Sequence, residues 1–201
     1  MLFCSMANNF EAVKETILTR RNVKPAEMNG QAIDDAIVHE LLELGNWAPT
    51  HARTEPWHFF VYSGQAVQQF CAQHAQLYKS ATPEERYNEG TFTNLGKMGD
   101  KASHILVACM KRGSNEKIPV LEEIAAASCA VQNILLAAEA RGIAVYWGSG
   151  GMAYKPEMRN MLGLGAEDLV LGILYLGYTS EPKKEGKRNS GIDAKLTWNK
   201  G

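Results

Sequence analysis

Three short segments of this chain carry residue types that could hold a ligand or support chemistry. The first is Arg20-Arg21-Asn22, followed by Lys24. Two guanidiniums in one loop can grip a phosphate through paired charge-assisted hydrogen bonds, and the Asn22 amide can add more. Consecutive arginines just past a helix are as often simply solvated. The second segment runs from Trp47 to Phe59 and includes Pro49, Thr50, His51 and Pro56. The prolines stiffen it, and it offers hydrogen-bonding side chains between a helix and a strand. Its bland alternative is a packed connection with tryptophan anchors. The third is Tyr146-Trp147-Gly148-Ser149-Gly150-Gly151. With Met152 and Ala153 it formally fits the dinucleotide pattern G-x-G-x-x-A. Against that, Pro156 delays the next helix, and no acidic residue ends a following strand at the expected distance. A glycine loop that lets backbone approach a flat ring uses these residues better.

These segments need elements to position them. Phe10, Val13, Ile17 and Leu18 fall at helical spacing, which predicts an amphipathic helix over about 9–20. Ile33, Ile37, Leu41, Leu44 and Trp47 predict a second. Trp57 to Tyr62 is aromatic and β-branched and reads as a strand closed by Ser63-Gly64. Val67, Phe70, Cys71, His74, Leu77 and Tyr78 predict a third helix. Residues 80–102 are polar with turn residues, an exposed helical excursion or a lid. His104 to Met110 reads as a buried strand, and 122–141 as a helix so small and apolar all round that it should be buried on every side. Ile143 to Trp147 is a strand, Pro156 to Met161 a short helix, and Leu169 to Tyr178 a continuous apolar strand expected near the centre of a sheet. Thr179 to Gly201 has little periodicity and reads as an extended arm. This order implies an α+β or α/β sheet with helices packed on it, one domain over 1–178 with the arm 179–201 attached.

Composition removes several classes. The 201 residues carry 21 Lys+Arg against 22 Asp+Glu, so a global electrostatic grip on nucleic acid or an anionic membrane is not expected. The apolar runs, such as Leu169 to Gly177, fall short of the roughly 20 residues of a membrane helix. The N-terminus lacks the basic and apolar regions of a signal peptide. Cys4, Cys71, Cys109 and Cys129 form no C-x-x-C motif and no zinc-ligand spacing; the last three sit among apolar residues and are expected to be small buried hydrophobes. The expectation is a soluble protein of a reducing, cytoplasmic compartment.

Taken together, Arg20-Arg21-Asn22, Ala48-Pro49-Thr50-His51 leading into Pro56-Trp57-His58-Phe59, Gly142-Ile143 through Trp147-Gly148-Ser149-Gly150, Leu174 to Tyr178 and the basic arm resemble the nitroreductase family. The likeness runs from about residue 10 to 190 and is greatest to its short YdjA-like members. It implies an α+β three-layer sandwich, a mixed sheet with helices on both faces, built as an intertwined homodimer with FMN at the interface. Arg20, Arg21 and Asn22 would hold the FMN phosphate and ribityl chain. Trp47 and His51 would reach the FMN from the partner subunit. Trp147, Gly148 and Ser149 would line the isoalloxazine, and Lys187 or Arg188 would close on the phosphate. Ala137, Ala138, Glu139, Ala140, Arg141 and Gly142 match the stretch that meets NAD(P) in such proteins. The implied activity is ping-pong transfer of hydride from NAD(P)H through flavin N5 to a nitroaromatic, quinone or similar small acceptor, with no catalytic side chain. Three positions depart from the pattern: Asn22 stands where Ser is usual, Gly148 where the YdjA-like proteins tend to carry Arg, and Thr54-Glu55 where Asn or Gln precedes Pro-Trp. Gly148 weakly favours a rival, a flavin-fold ligand-binding or sensor protein without turnover. A non-flavin protein matching by chance is a further one.

Overall fold

The computed structural model describes residues 2–201, with side chains from residue 9. The helices are α1 (Leu2–Thr19), α2 (Asp35–Gly45), α3 (Gln65–Ala81), α4 (Glu89–Lys97), α5 (Val120–Ala140) and α6 (Pro156–Met161). The strands are β1 (Trp57–Ser63), β2 (His104–Met110), β3 (Ala144–Gly148) and β4 (Leu169–Gly177). They form one sheet in the order β1-β2-β4-β3. All three pairings are antiparallel, so the expected mixed sheet is met only by an isolated parallel bridge between Asn22 and Val145.

The interior strands explain why helices cover both faces. Every residue of β2 is buried, as an unbroken apolar run requires. Its alternate residues Ile105, Val107 and Cys109 pack with Ile173 and Tyr175 against Phe70 and Cys71 of α3 and Met158 of α6. Leu106 and Ala108 pack with Leu174 and Leu176 against Val38 and Leu41 of α2 and Val131, Ile134 and Leu135 of α5. Helix, sheet and helix therefore make three layers. Gly45 lets α2 and α5 touch: a Cβ there would lie 2.8 Å from an Ile134 side-chain carbon.

Several expectations need correction. Helix α1 begins earlier than the apolar spacing suggests, and its stripe is bare: Phe10 is 65% and Leu18 61% exposed. Helix α5 is not buried all round in this chain. Ala126, Ala130, Ile134 and Ala138 face the core, whereas Leu121, Ala125, Cys129 and Gln132 face outward and are exposed. Cys129 is thus an exposed thiol, while Cys71 and Cys109 are buried as expected. Burial pushes those two thiols up, to about 11 and about 12. The Cys4 side chain lies outside the described residues. By length and composition α5 could cross a membrane, but its inner face is seated on the sheet as a core helix.

Residues 80–102 are an ordered helical excursion. Asn88 caps α4 by accepting the Thr91 N–H at 2.9 Å. Tyr78 of α3 stacks on Tyr87, and Tyr87 leans on Phe92. Beyond β4 the arm is extended, with one 3-10 turn at Ile192–Lys195. Lys183 pairs with Glu139 and Lys184 with Glu27; past them the arm is wholly exposed.

Candidate functional site

The loop after α1 is zipped onto the outer edge of β3. The Val23 N–H donates to the Val145 carbonyl at 3.0 Å. The Asn22 side-chain oxygen accepts the Trp147 N–H at 2.7 Å. Two of the three segments, Arg20-Arg21-Asn22 and Trp147-Gly148-Ser149, are therefore brought side by side. Asn22 spends its oxygen on the strand, and its NH2 has no hydrogen-bond partner among the described residues.

The two arginines have different surroundings. Arg21 donates from Nε to the Lys184 carbonyl at 2.8 Å, and from Nη1 to the carbonyls of Leu18 (2.7 Å) and Arg20 (2.8 Å). Gly186 passes so close that a Cβ there would lie 2.3 Å from Arg21 Nη2. Arg21 clasps the arm to the loop. The Arg20 guanidinium has no hydrogen-bond partner among the described residues and stays available to an anion. Lys187 and Arg188 follow directly beyond the clasp and are exposed.

Trp147 is fixed by a defect in the neighbouring strand. The β2–β4 register steps from Ala108–Gly172 to Cys109–Val170, which leaves Leu171 as the extra residue of a bulge. The Leu171 carbonyl accepts the Trp147 indole N–H at 3.1 Å and the Tyr154 hydroxyl at 3.3 Å. Gly172 has φ +148°, and a Cβ on it would lie 2.1 Å from the indole nitrogen. A lone glycine inside an apolar strand is the sequence signal for such a close approach.

Across the sheet from the indole, the glycine turn after β3 borders an open cavity of about 230 Å³. Tyr146, Ile173 and Tyr175 form its sheet wall. Thr91, Asn94, Leu95 and Met98 form the opposite wall, and His74 of α3 also lines it. Thr91, Asn94 and Leu95 lie in α4 and Met98 follows directly on it, and the four recur at helical spacing, a signal that the polar sequence around them hid. This volume is below the roughly 300–1,000 Å³ of a typical small-molecule pocket.

The third segment lies elsewhere. Trp47 is 84% exposed. His51 Nδ1 meets a Glu122 carboxylate oxygen at 2.5 Å, at the start of α5. The loop is tense: Ala52, Arg53 and Glu55 all have positive φ, at 50°, 56° and 43°. It leads into β1, three strand spacings, or about 14 Å, across the sheet from β3. Following the pairings from Gly148 through Ile173 and Val107 to Phe60, Trp57 is also three residues, about 10 Å, further along. This chain alone does not bring Trp47 and His51 to the other two segments.

The stretch Ala137 to Gly142 is the last turn of α5 and the two residues after it. Ala138 is fully buried, Glu139 is taken by the Thr19 hydroxyl and Lys183, and Arg141 pairs with Glu40. Ala140 and Gly142 are exposed, and Ala137 is partly so. Elsewhere a hydrogen-bonded chain links Ser103, His104 and Asp35 at 2.9 and 2.8 Å. It resembles a hydrolytic triad in residue type. However, the His104 ring is buried, and Ser103 Oγ also accepts the Ile33 N–H at 2.7 Å, so the chain pins the start of β2 to the approach to α2.

Comparison with known proteins matches this arrangement to one family. The family model described as "Nitroreductase family" matches residues 17–178, which span all four strands and the three segments. YdjA of Escherichia coli strain K12 is 31% identical over 140 residues, covering 70% of this chain and 74% of the relative. The solved structure of a nitroreductase-like family protein from Bacillus cereus superposes with a TM-score of 0.81 at 28% identity, covering 94% of this chain and 96% of that one. The FMN-dependent nitroreductase NfnB of Mycobacterium smegmatis, solved in complex with NADPH, shares the fold with a TM-score of 0.70 at 18% identity, over 94% and 99% of the two chains. With most of its length matched and its strands in that family's fold, the chain belongs to the nitroreductase family.

Proposed function

We propose that the chain is an FMN-dependent NAD(P)H oxidoreductase whose site is completed by a second copy of itself. The observation that carries this reading is the split site. Two cofactor-holding segments meet at one sheet edge and the third stands at the other, while α1 and α5 carry bare apolar stripes of the kind a partner covers. The residues fit FMN. Arg20 is free to pair with a phosphate, and glycines stand where the turn is tight: a Cβ on Gly151 would lie 2.6 Å from His74 Nε2.

In this reading Arg20 and the Asn22 NH2 hold the phosphate and ribityl chain, with Lys187 or Arg188 closing from the arm. Arg21 supports them by fixing the arm. Trp147, Gly148 and Ser149 present backbone to the ring. Trp47 and His51 come from the second copy. The dinucleotide approaches over the turn at Ala137–Gly142 through its exposed residues. FMN held there would supply the redox chemistry between NAD(P)H and a flat acceptor such as a nitroaromatic or quinone. The chain's own task is to orient both molecules on one surface in turn, which predicts ping-pong kinetics.

The test is anaerobic oxidation of NADH and NADPH by FMN-loaded protein with an added quinone or nitroaromatic. Turnover with parallel double-reciprocal lines supports the proposal. Flavin that stays bound while neither donor is oxidised points to a ligand-binding or sensor protein instead.

A further inference from the structure

We propose that His74 is a positioning residue: it holds the turn Gly150–Met152 against α3 and so sets the surroundings of the flavin ring. The second half rests on the FMN reading above. His74 is 1% exposed and shares the core stripe of α3 with Phe70, Cys71 and Ala75. An apolar residue is the ordinary occupant of such a position. What a histidine adds is an acceptor, and it is used: Nε2 accepts the Met152 N–H at 2.9 Å, and the bond is buried. An accepting Nε2 places the ring proton on Nδ1, which is buried with no hydrogen-bond partner among the described residues. An unmatched buried donor is costly, so the imidazole's contribution must come from its other nitrogen.

The turn is shaped to that nitrogen. Gly151 has φ +62°, and a Cβ on it would lie 2.6 Å from His74 Nε2 and 2.8 Å from a Leu95 methyl. The Phe70 ring, a Leu95 methyl and the turn's own backbone lie against the imidazole, and none of them carries a charge; the cavity beside it adds Thr91, Asn94, Tyr146 and Tyr175, of which the two tyrosines titrate only at high pH. Burial in these surroundings lowers the His74 pKa to about 4, so the ring remains a neutral acceptor at physiological pH. The same imidazole lines the cavity that Gly148 and Gly150 border. Polar contacts and backbone placement beside a flavin tune its electronics, which is how a residue behind the turn would reach the ring.

The experiment compares wild type with His74→Leu and His74→Gln. Amide hydrogen exchange at Met152 is read on the cofactor-free protein, and the visible flavin spectrum and midpoint potential on the FMN-loaded protein. Loss of one buried hydrogen bond should speed Met152 exchange about tenfold in the leucine variant and shift both flavin readouts. The glutamine variant, whose side-chain oxygen can accept the same N–H, should restore all three toward wild type. If the leucine variant does not fold, Gly151→Ala presses on the same contact with the imidazole in place and should produce the same changes. Unchanged exchange and an unchanged spectrum in the leucine variant overturn the proposal. So does a glutamine variant as perturbed as the leucine one. A wild type that takes up no FMN defeats the functional reading and the ring's part of this proposal, while the apoprotein exchange result still decides the contact between His74 and the turn.

Discussion

Replacing Gly172 by alanine should damage stability and the site together. The residue sits in β4 with φ +148°, where an L side chain is strained at a cost of about 1–3 kcal/mol. The new Cβ would lie 2.1 Å from the Trp147 indole nitrogen and 2.6 Å from its Cδ1, so the indole must move. Moving it breaks the 3.1 Å bond to the Leu171 carbonyl, a further loss of about 1 kcal/mol. The sum is roughly 2–4 kcal/mol. For a chain of this length each kcal/mol lowers the melting temperature by roughly 2–4 °C, so thermal unfolding followed by circular dichroism should show a fall of roughly 10 °C. Pairing Gly172→Ala with Trp147→Leu tests the cause, because removing the indole removes the collision. The double variant should then lose less than the sum of the two singles, a coupling expected only of residues in contact. Additive losses, or a single variant that melts like wild type, would refute the claim that the bulge exists to seat Trp147.

Further outcomes follow from other parts of the molecule. The His74 pKa is lowered from 6.5 to about 4 by burial, so between those values the unfolded chain binds a proton that the folded chain does not. Its contribution is complete above pH 6.5 and is lost as pH falls, by roughly 3 kcal/mol at pH 4. Urea unfolding from pH 7 to 4 should show this slope in wild type and not in His74→Gln; equal slopes would contradict it. His58 is also lowered, by burial and then Lys111, and the wild-type-minus-variant difference removes its share. Arg112→Leu strips the buried Glu123 carboxylate of the guanidinium 2.6 Å away and should cost roughly 3–5 kcal/mol in a denaturant titration. Arg20→Ala should weaken FMN binding roughly ten- to hundredfold, the effect of losing a charge-assisted contact. Arg21→Ala should instead untether the arm and speed its cleavage by trypsin after Lys184, Lys187 and Arg188; equal effects on FMN and an unchanged digestion rate would refute that division. Cys129→Arg, on the bare stripe of α5, should leave a single-chain species in light scattering.

Much of the fold was legible because its strands are apolar runs with glycine or polar stops. β2 fell where His104 to Met110 predicts it, and β4 where Leu169 to Tyr178 does, inside the sheet with partners on both sides. Helix α4 was harder: Gly90 and Gly96 depress its propensity, and it forms because the Asn88 cap and packing on α3 offset them. The sheet came out antiparallel because pairing order is a long-range choice that local periodicity does not encode. The composition of α5 announced burial, but it could not say which body covers Leu121, Ala125 and Cys129. At the site, the residue types at 20–22 and 147–149 pointed to a ligand, and the fold brings them together through Asn22. Nothing in Arg20-Arg21 as a dipeptide separates the free guanidinium from the clasp, since the Lys184 carbonyl is 163 residues away in sequence. His74 read as part of a helix stripe, and its use is visible only once Met152 is seen beside it.

FMN held at a site built from two copies of this chain is what the proposed function requires above all. Native mass spectrometry of the FMN-reconstituted protein tests it most directly, because stoichiometry and oligomeric state are read from one species. The expected species is a dimer of the 22.2 kDa chain carrying two FMN molecules, with loss of FMN whenever the dimer separates. A single chain that retains one FMN after dilution, or a dimer that takes up none, would contradict it.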